Sequence, residues 1–369
     1  AAIRAAIERA GIAVDRVDEV LMGNCLMAGQ GQAPARQAAF KAGLPKGAGA
    51  VTLSKMCGSG MRAAMFAHDM LLAGSHEVLV AGGMESMTNA PYLLQKGRGG
   101  YRIGHDRIFD HMMLDGLEDA YEPGRSMGTF GEDCAAKYNF SRAEQDAFAT
   151  ASVQRAKAAT ESGAFATEIP PVTVKGRAGE TVISIDEGPG KIKLDKITSL
   201  KPAFKKDGTI TAASSSSIND GGAAMVLMRE STAKQLGCKP LARIVSHATH
   251  AQEPEWFSTA PVGASQKALA KAGWQVGDVD LWEINEAFAV QVLSFLEHFG
   301  IADDDPRVNP YGGAIAVGHP LASSGVRLMA NMIAYFDANP KARYGLTTMC
   351  IGLGMGATVV WENTAEGAR

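Results

Sequence analysis

The chain has 369 residues, of which 46% are hydrophobic and 20% are charged. This balance excludes a disordered or fibrous protein, and the length predicts about two domains or slightly more. The formal net charge of -3 gives no basic surface for a nucleic acid or an anionic membrane, and no apolar stretch approaches the ~20 residues that cross a bilayer. We therefore expect small-molecule chemistry in a soluble, cytoplasmic protein with neither a nucleic-acid nor a membrane partner.

The first part of the chain predicts alternating helices and strands. Residues 1–11 carry apolar side chains on one helical face and end at Gly11, a residue type that favours helix termination. Residues 20–23 then predict a strand and residues 33–42 a helix. The segments VTLSKM, GMRAAMFAHDMLLAG and EVLVAGG follow, and their patterns predict a strand, a helix and a second strand. This order is typical of an α/β protein.

Residues 87–218 differ in composition and in predicted secondary structure. They are rich in long loops, glycine and basic clusters, with one clear helix that begins after Ser141 in a Ser-x-x-Glu capping box. Residues 240–369 return to alternating helices and strands. We therefore expect an inserted loop domain at 87–218 between two α/β halves, one built from residues 1–86 and 219–239 and the other from residues 240–369.

A short internal similarity supports two related halves. SGMR at residues 59–62 and SGVR at residues 324–327 each follow a glycine-rich loop, and each predicts the start of an apolar helix. Because the order of the surrounding strands and helices is also similar, we expect a duplicated fold in which helices cover each sheet.

The cysteines are scattered and form no C-x-x-C pair, which gives neither a disulfide framework nor a thiolate zinc site. Cys57 lies in SKMCGSGMRAA, between a predicted strand and a predicted helix. The helix end favours the thiolate by at most ~2 kcal/mol, so we expect the thiol to be only partly ionised at neutral pH and to need a partner base. The complete set of cysteines is Cys25, Cys57, Cys134, Cys238 and Cys350.

His319 is the best candidate for that base. It lies in GGAIAVGHPLASSG, in a glycine-rich turn ahead of a helix predicted to begin near Ser324, much as Cys57 precedes its own helix. We expect the two helix starts to converge. The other histidines fall in segments that predict ordinary helices or polar loops, which favours surface or core roles for them. These residues are His68, His76, His105, His111, His247, His250 and His298.

Two further groups lie where predicted strands end. Cys350 ends the strand predicted for YGLTTM and begins CIGLGMG. The glycines invite comparison with a dinucleotide fingerprint, but that fingerprint opens a helix, whereas ATVVWE predicts a strand. We therefore expect backbone amides exposed to a carbonyl oxygen. Asn285, in NEAFA, has two interpretations that the residues leave open, a helix cap or the ligand of a buried water.

Four stretches, SKMCGSG, NEAFA, GGAIAVGHP and CIGLGMG, together resemble the thiolase family. The segments RSMGTFGEDCAAKY, LKPAFKKDGTITA and SSSSINDGGAA extend the resemblance through nearly the entire chain. It implies an α/β fold of thiolase-like duplicated αβαβα layers, with an inserted loop domain that binds coenzyme A. Family members also carry a strand ahead of the first helix, so we expect this first strand of the N-terminal half to be missing here.

The resemblance also implies a role for each reactive group. Cys57 would accept the acyl group with His319 as its base, and Cys350 would move the proton in the carbon–carbon step. Asn285 would hold a water that forms one oxyanion site with His319, and the amides of Cys57 and Gly352 would form the other. The implied reaction is reversible Claisen condensation of an acyl-CoA with acetyl-CoA, or thiolysis of a 3-ketoacyl-CoA in the opposite direction.

The implied partners are acyl-CoA and coenzyme A, with no separate cofactor and no metal, in a homodimer or homotetramer that acts in fatty acid metabolism. The alternative is a catalytically silent acyl-CoA-binding protein, because the glycines around His319 and Cys350 depart from the family pattern, with Leu353 interrupting the usual triple glycine. Ser126 replaces a histidine common in short-chain members, which leaves the acyl-chain preference open. The positions that match substrate contacts in the family are Leu117, Met127, Ser216, Ala287 and Phe288.

Overall fold

The computed structural model describes residues 1–177 and 179–365, and its first part alternates between helices and strands. These elements are α1 (Ala2–Ala10), β1 (Glu19–Gly23), α2 (Pro34–Ala42), β2 (Gly49–Leu53), α3 (Ser59–Leu72) and β3 (Val78–Glu85). The helices and strands predicted for this part are therefore confirmed. Helix α1 ends at Gly11 as expected, because the backbone there is left-handed with a φ of 69°.

Short and irregular elements fill the middle of the chain. They are β4 (Tyr92–Leu93), β5 (Phe109–Asp110), a π-helical turn (Met113–Leu117), α4 (Met127–Tyr138), α5 (Arg142–Ser162), β6 (Val172–Gly176), β7 (Gly179–Ile183) and α6 (Gly188–Lys191). Helix α5 begins with the predicted capping box, in which the Ser141 hydroxyl accepts from the Glu144 amide and the Glu144 carboxylate accepts from the Ser141 amide. Strands β6 and β7 pair with each other in an exposed two-stranded sheet.

Long strands and helices return in the last part. They are β8 (Gly221–Met228), α7 (Glu230–Leu236), β9 (Ala242–Ala251), α8 (Ala260–Ala272), β10 (Leu281–Ile284), α9 (Ala289–Phe299), α10 (Ala314–Val317), α11 (Leu321–Ala338), β11 (Tyr344–Ile351) and β12 (Met355–Asn363). The start predicted near Ser324 was wrong, because the Ser323 amide already donates to the Pro320 carbonyl and opens the helix at Leu321. Among the residues that the structure describes, no helix is both long and apolar enough to cross a membrane.

The strands form two main four-stranded sheets. The first has the order β2-β1-β3-β8, with β1 parallel to both of its neighbours and β8 antiparallel to β3. The second has the order β10-β11-β12-β9, with β10 parallel to β11 and β12 antiparallel to both of its neighbours. Residues 221–228 thus return to the first sheet after the irregular middle of the chain. The domain boundaries at 86, 218 and 239 and the missing first strand stay predictions.

The core has five layers. Helices α1 and α2 pack on the outer face of the first sheet, α3 and α11 lie between the two sheets, and α8 and α9 cover the outer face of the second. This arrangement confirms the expected αβαβα layers. The central helices approach closely because Gly60 has no side chain, since a Cβ there would lie 2.5 Å from the Ala322 carbonyl oxygen. The N-terminal ends of α3 and α11, which follow Cys57 and His319, are therefore neighbours.

Candidate active site

Cys57 lies at the junction between β2 and α3. Strand β2 ends at Leu53 and α3 begins at Ser59, and between them Met56 has a left-handed φ of 47°. Such a backbone is unusual for a residue other than glycine and marks a tightly specified turn. Gly58, the cap of α3, leaves room for the Ile351 side chain, with which an added Cβ would collide. The turn therefore holds Cys57 against the carboxyl end of β11.

Two backbone amides favour the thiolate of Cys57. The Gly352 amide and the amide of Cys57 itself lower its pKa, yet burial outweighs them and raises the pKa of Cys57 to about 11. The expectation of a partly ionised thiol at neutral pH was wrong, because desolvation costs the thiolate more than the helix end gains for it. The need for a partner base becomes stronger, since the resting side chain is a neutral thiol.

Cys350 lies one residue before the end of β11, at the strand terminus where the sequence predicts it. Its side chain is 1% exposed and packs in an apolar cluster with Ala287, Phe288 and Phe257. Burial raises the pKa of Cys350 well above its ordinary value, and the neighbouring Cys57 raises it further. The two thiols are thus close enough in space to affect each other electrostatically, although most of the chain lies between them in the sequence.

His319 precedes α11 and presents one ring nitrogen without a partner. Its Nδ1 lies 2.6 Å from the Ser324 hydroxyl, which fixes the ring, while the buried Nε2 has no hydrogen-bond partner among the described residues. Burial, with a smaller effect from Arg327, lowers the pKa of His319 to about 4. The imidazole is therefore neutral at pH 7. In the tautomer that donates from Nδ1 to Ser324, Nε2 holds a lone pair that is ready to accept a proton.

Asn285 follows β10 and does not cap a helix. Helix α9 begins at Ala289 with Phe288 in the cap position, and the Asn285 amide donates its backbone hydrogen to the Thr348 carbonyl at 3.0 Å. Its side chain is fully buried, and neither Oδ1 nor Nδ2 finds a partner within the described ranges. The capping interpretation was wrong. A buried amide with unmet hydrogen-bonding capacity fits the other interpretation, a residue that binds a water or a polar ligand atom.

The segment 215–217 connects the loops that carry these groups. The Ser216 amide donates to the Ala287 carbonyl at 3.0 Å, and the His319 amide donates to the Ser217 carbonyl at 3.0 Å. Ser215 also forms a bridge with Phe288. The predicted contact residues Ser216, Ala287 and Phe288 therefore lie together.

Two more predicted contacts lie in neighbouring apolar clusters. Met127 packs against the cluster that contains Phe288 and Cys350, whereas Leu117 and Cys57 pack against a second, smaller cluster that includes Leu321. The structure thus places both near the reactive thiols. Direct contact of any of these residues with coenzyme A stays a prediction.

Sequence reasoning missed a buried carboxylate at the end of β3. Glu85 is 4% exposed and accepts hydrogen bonds from the backbone amides of Cys25, Leu26 and Ala322. It thereby joins the carboxyl end of the first sheet to the first turn of α11. The signal for it was an acidic residue directly after the apolar run VLVAGGM, where a buried charge needs several donors.

A second missed carboxylate, Glu286, supports the loop that leads to His319. It accepts from the Ser152 hydroxyl at 2.7 Å, the Asn309 side-chain amide at 2.8 Å and the Ile315 backbone amide at 3.1 Å. Burial raises the pKa of Glu286, while these three hydrogen bonds lower it. Because Ile315 lies in α10, immediately before the His319 turn, Glu286 couples that turn to α5.

The chain matches known proteins along nearly its whole length. Residues 1–231 match the family described as thiolase, N-terminal domain, and residues 238–363 match thiolase, C-terminal domain. The acetyl-CoA acetyltransferase of Shinella zoogloeoides is 46% identical over 362 residues, which cover 98% of this chain and 91% of the relative. The acetyl-CoA acetyltransferase of Chromobacterium violaceum is also 46% identical over 362 residues, with the same coverage of 98% and 91%.

Solved structures give the same result. The acetyl-CoA acetyltransferase structure from Syntrophomonas wolfei has a TM-score of 0.93 and 39% identity, and covers 98% of this chain and 92% of that chain. The corresponding crystal structure from Bacillus anthracis has a TM-score of 0.93 and 38% identity, with coverage of 98% and 91%. Together with the layered core and the convergent reactive groups, these matches establish that the chain belongs to the thiolase family.

Proposed function

We propose that this thiolase is an acyl-CoA:acetyl-CoA C-acyltransferase whose acyl-enzyme forms on Cys57. The observation that carries the proposal is the position of the Cys57 sulfur, which two backbone amides approach at a helix start beside a second buried thiol. The relatives named acetyl-CoA acetyltransferase support acetyl-CoA as the substrate. Acyl transfer from sulfur to carbon needs a nucleophile, a base and donors for the developing oxyanion, and the site offers a group for each role.

In the first half-reaction, His319 Nε2 takes the proton of the Cys57 thiol as the sulfur attacks the thioester carbon. The bond from carbon to the sulfur of coenzyme A then breaks, and the imidazolium returns the proton to the departing thiolate. A base with its pKa lowered to about 4 and a thiol with its pKa raised to about 11 do not form a stable ion pair at rest. Proton transfer is therefore coupled to attack on the substrate.

In the second half-reaction, Cys350 first gives its thiol proton to His319 Nε2, and the resulting thiolate removes a proton from the methyl carbon of acetyl-CoA. The resulting carbanion attacks the acyl group, and the Cys57 thiolate leaves and regains a proton from the His319 imidazolium. The carbon acid is far weaker than a thiol, so an oxyanion site must stabilise the enolate. Asn285, with its unpartnered buried amide, supplies this site through a water, and Nε2 of the protonated His319 donates to the same oxygen, while the amides of Cys57 and Gly352 serve the acyl carbonyl.

Coenzyme A thioesters are the proposed substrates, and the reaction as written uses no separate cofactor or metal. Leu117, Met127, Ser216, Ala287 and Phe288 are the proposed contacts, supported by their positions around the two thiols. We also propose a cytoplasmic homodimer or homotetramer with a role in fatty acid metabolism. Light scattering of the purified protein measures the oligomeric state directly.

The function is tested by locating the acyl group. The protein is incubated with acetyl-CoA, digested and mapped by mass spectrometry, with the Cys238→Ala variant as a control that keeps every proposed active-site thiol. We expect acetylation of Cys57 in the wild type and in the control, together with acetoacetyl-CoA formation. Binding of acetyl-CoA without any acylated cysteine would favour the silent acyl-CoA-binding protein, and label confined to Cys25 would overturn the assignment of Cys57.

A series of 3-ketoacyl-CoA substrates then defines the chain-length preference. Thiolysis rates for acyl chains of increasing length are compared at equal coenzyme A concentration. We expect acetoacetyl-CoA to give the highest rate, in keeping with the relatives named acetyl-CoA acetyltransferase. A maximum at a longer chain would assign the protein to the degradative type, with Ser126 beside Met127 as the first position to examine.

A further inference from the structure

Three polar side chains outside the active site converge between α3 and β9. His68 and Asp69 lie near the end of α3, and His247 lies on β9 of the other sheet. The His247 Nε2 atom is 2.9 Å from Asp69 Oδ1, and the His68 Nδ1 atom is 3.6 Å from the same oxygen. One donor atom from each of the three residues lies within 4.8 Å of the other two. The sequence predicts ordinary helices or polar loops for these histidines. That prediction therefore missed this convergence, since His247 lies in a strand.

The cluster contains an unmet hydrogen-bonding atom. His68 Nδ1 is buried and has no hydrogen-bond partner among the described residues, although it faces the Asp69 carboxylate. The two imidazole rings meet edge to face with 5.1 Å between their centroids. A buried ring nitrogen without a partner is costly unless something else occupies its lone pair. The arrangement therefore points to a ligand that accepts electron pairs from all three side chains.

We propose that His68, Asp69 and His247 bind one divalent transition-metal ion, with Zn²⁺ as the best match. Two imidazole nitrogens and one carboxylate oxygen are a donor set that zinc binds in tetrahedral sites with water in the fourth position. Bonds of about 2.0–2.1 Å in a tetrahedron place neighbouring donors about 3.3 Å apart. The observed 2.9 Å and 3.6 Å separations bracket that value, so small side-chain rotations complete the site.

The surroundings allow an ion to enter, and the ion would replace the hydrogen bond between His247 Nε2 and Asp69 Oδ1. The Asp69 side chain is 50% exposed, which opens the cluster to solvent and leaves room for a water ligand. Lys271 donates to the backbone carbonyl of His247, and Lys267 donates to Nδ1 of His250, so both lysines have partners outside the cluster. A bound ion would join the helix layer between the sheets to the outermost strand of the second sheet.

The test is metal binding by chelator-treated protein. Zn²⁺ is titrated into the wild type and into His68→Gln, His247→Gln and Asp69→Asn, with His250→Gln as a control that changes a histidine of the same strand outside the cluster. We expect one Zn²⁺ per chain in the wild type and the control. Loss of a direct ligand should weaken binding by about 100-fold or more in the three cluster variants. Zn²⁺ should also raise the melting temperature of the wild type and the control only.

Co²⁺ distinguishes this site from the thiols of the active site. Cobalt bound by nitrogen and oxygen gives a visible absorption without the near-ultraviolet charge-transfer band of a thiolate ligand. We expect that spectrum in the wild type and its loss in His68→Gln, with Asp69→Asn as the second measurement if the first variant does not fold. Absent Zn²⁺ binding, equal binding by every variant, or a thiolate band that the cluster variants leave unchanged would each overturn the proposal. None of these outcomes affects the acylation assay.

Discussion

The two thiols of the active site occupy contrasting surroundings. Cys57 lies in a turn between a strand and a helix, partly accessible and approached by two backbone amides. Cys350 lies within a paired strand, opposite Gly356 of β12, and is 1% exposed among apolar side chains. Both have raised pKa values because burial disfavours the thiolate, but the amides around Cys57 offset part of that cost. The amides of two residues favour the thiolate of Cys57, whereas for Cys350 its own amide does so.

This difference suits the two thiols to different chemistry. A nucleophile must become a good leaving group again, and amides that stabilise its thiolate assist both attack and departure. A base that removes a proton from carbon benefits from a high pKa, since the driving force for proton transfer rises with it. The apolar setting of Cys350 provides that higher pKa. Its contact with Ala287 and Phe288 places it beside the residues expected at the reactive end of the substrate.

Replacing His319 with alanine should have the largest effect, because the proposed mechanism uses its Nε2 atom with both thiols. Loss of one oxyanion donor alone costs on the order of 10²–10³ in rate, before the missing base is counted. We expect both acylation of Cys57 and condensation to fall by at least that factor. Stopped-flow acylation and steady-state condensation measure the two half-reactions separately.

Alkylation of Cys57 gives an independent measure of the same variant. With the pKa of Cys57 raised to about 11 and no base, the reaction with iodoacetamide should be slow at pH 7 and accelerate about tenfold per pH unit toward that value. The wild type should react faster near neutrality. A folded variant with normal turnover and an unchanged alkylation profile would contradict the pairing of His319 with Cys57.

Replacing Cys350 with alanine should separate the two thiols most clearly. Acylation of Cys57 by acetyl-CoA should persist within about threefold, while condensation falls by about 10²–10⁴, the usual contribution of a general base. Mass mapping of the acyl-enzyme and acetoacetyl-CoA formation report the two steps. Equal losses in both would mean that the thiols share one role, and matched melting temperatures for the variant and the wild type exclude structural damage as the cause.

Much of this arrangement is predictable from sequence because it depends on local patterns. The strand–helix order around Cys57 and the strand nature of ATVVWE follow from side-chain periodicity. The layered fold follows from the resemblance to the thiolase family. The ionisation of Cys57 was not predictable. It depends on how completely distant segments, such as the end of β11 at Ile351, desolvate the sulfur, and no local pattern reports that burial.

The sequence also does not predict the residues that act through long-range contacts. Glu85 and Glu286 each bind groups from segments distant in the chain, so spacing alone gives no indication of their partners. Helix α11 begins at Leu321 and not near Ser324 as predicted, because a backbone turn at Pro320 opens the helix. Ser324 therefore lies one turn inside α11, where its hydroxyl forms a hydrogen bond with the His319 ring.

Replacing Ser324 with alanine should reduce the reaction rate least of these substitutions, because the proposed role of Ser324 is to position His319. Loss of one net hydrogen bond of about 0.5–1.5 kcal/mol corresponds to a decrease of roughly 2–10-fold in kcat/KM. The decrease should appear in kcat more than in KM, since substrate contacts remain.

The pH dependence of this variant distinguishes positioning from a change in basicity. Burial is the main cause of the lowered His319 pKa of about 4, so the acid limb of the kcat/KM profile should stay near that value when Ser324 is removed. The imidazole is the active neutral base above that limb and loses its function as pH falls through it. Ser323→Ala is the matched control, because the Ser323 hydroxyl donates to the Pro320 carbonyl and not to the His319 ring among the described residues. An acid limb that moves toward pH 6 in Ser324→Ala but not in Ser323→Ala would show that the hydroxyl sets the basicity of His319. A rate reduced only a few-fold with an unmoved limb would leave Ser324 as the group that aims Nε2 at Cys57.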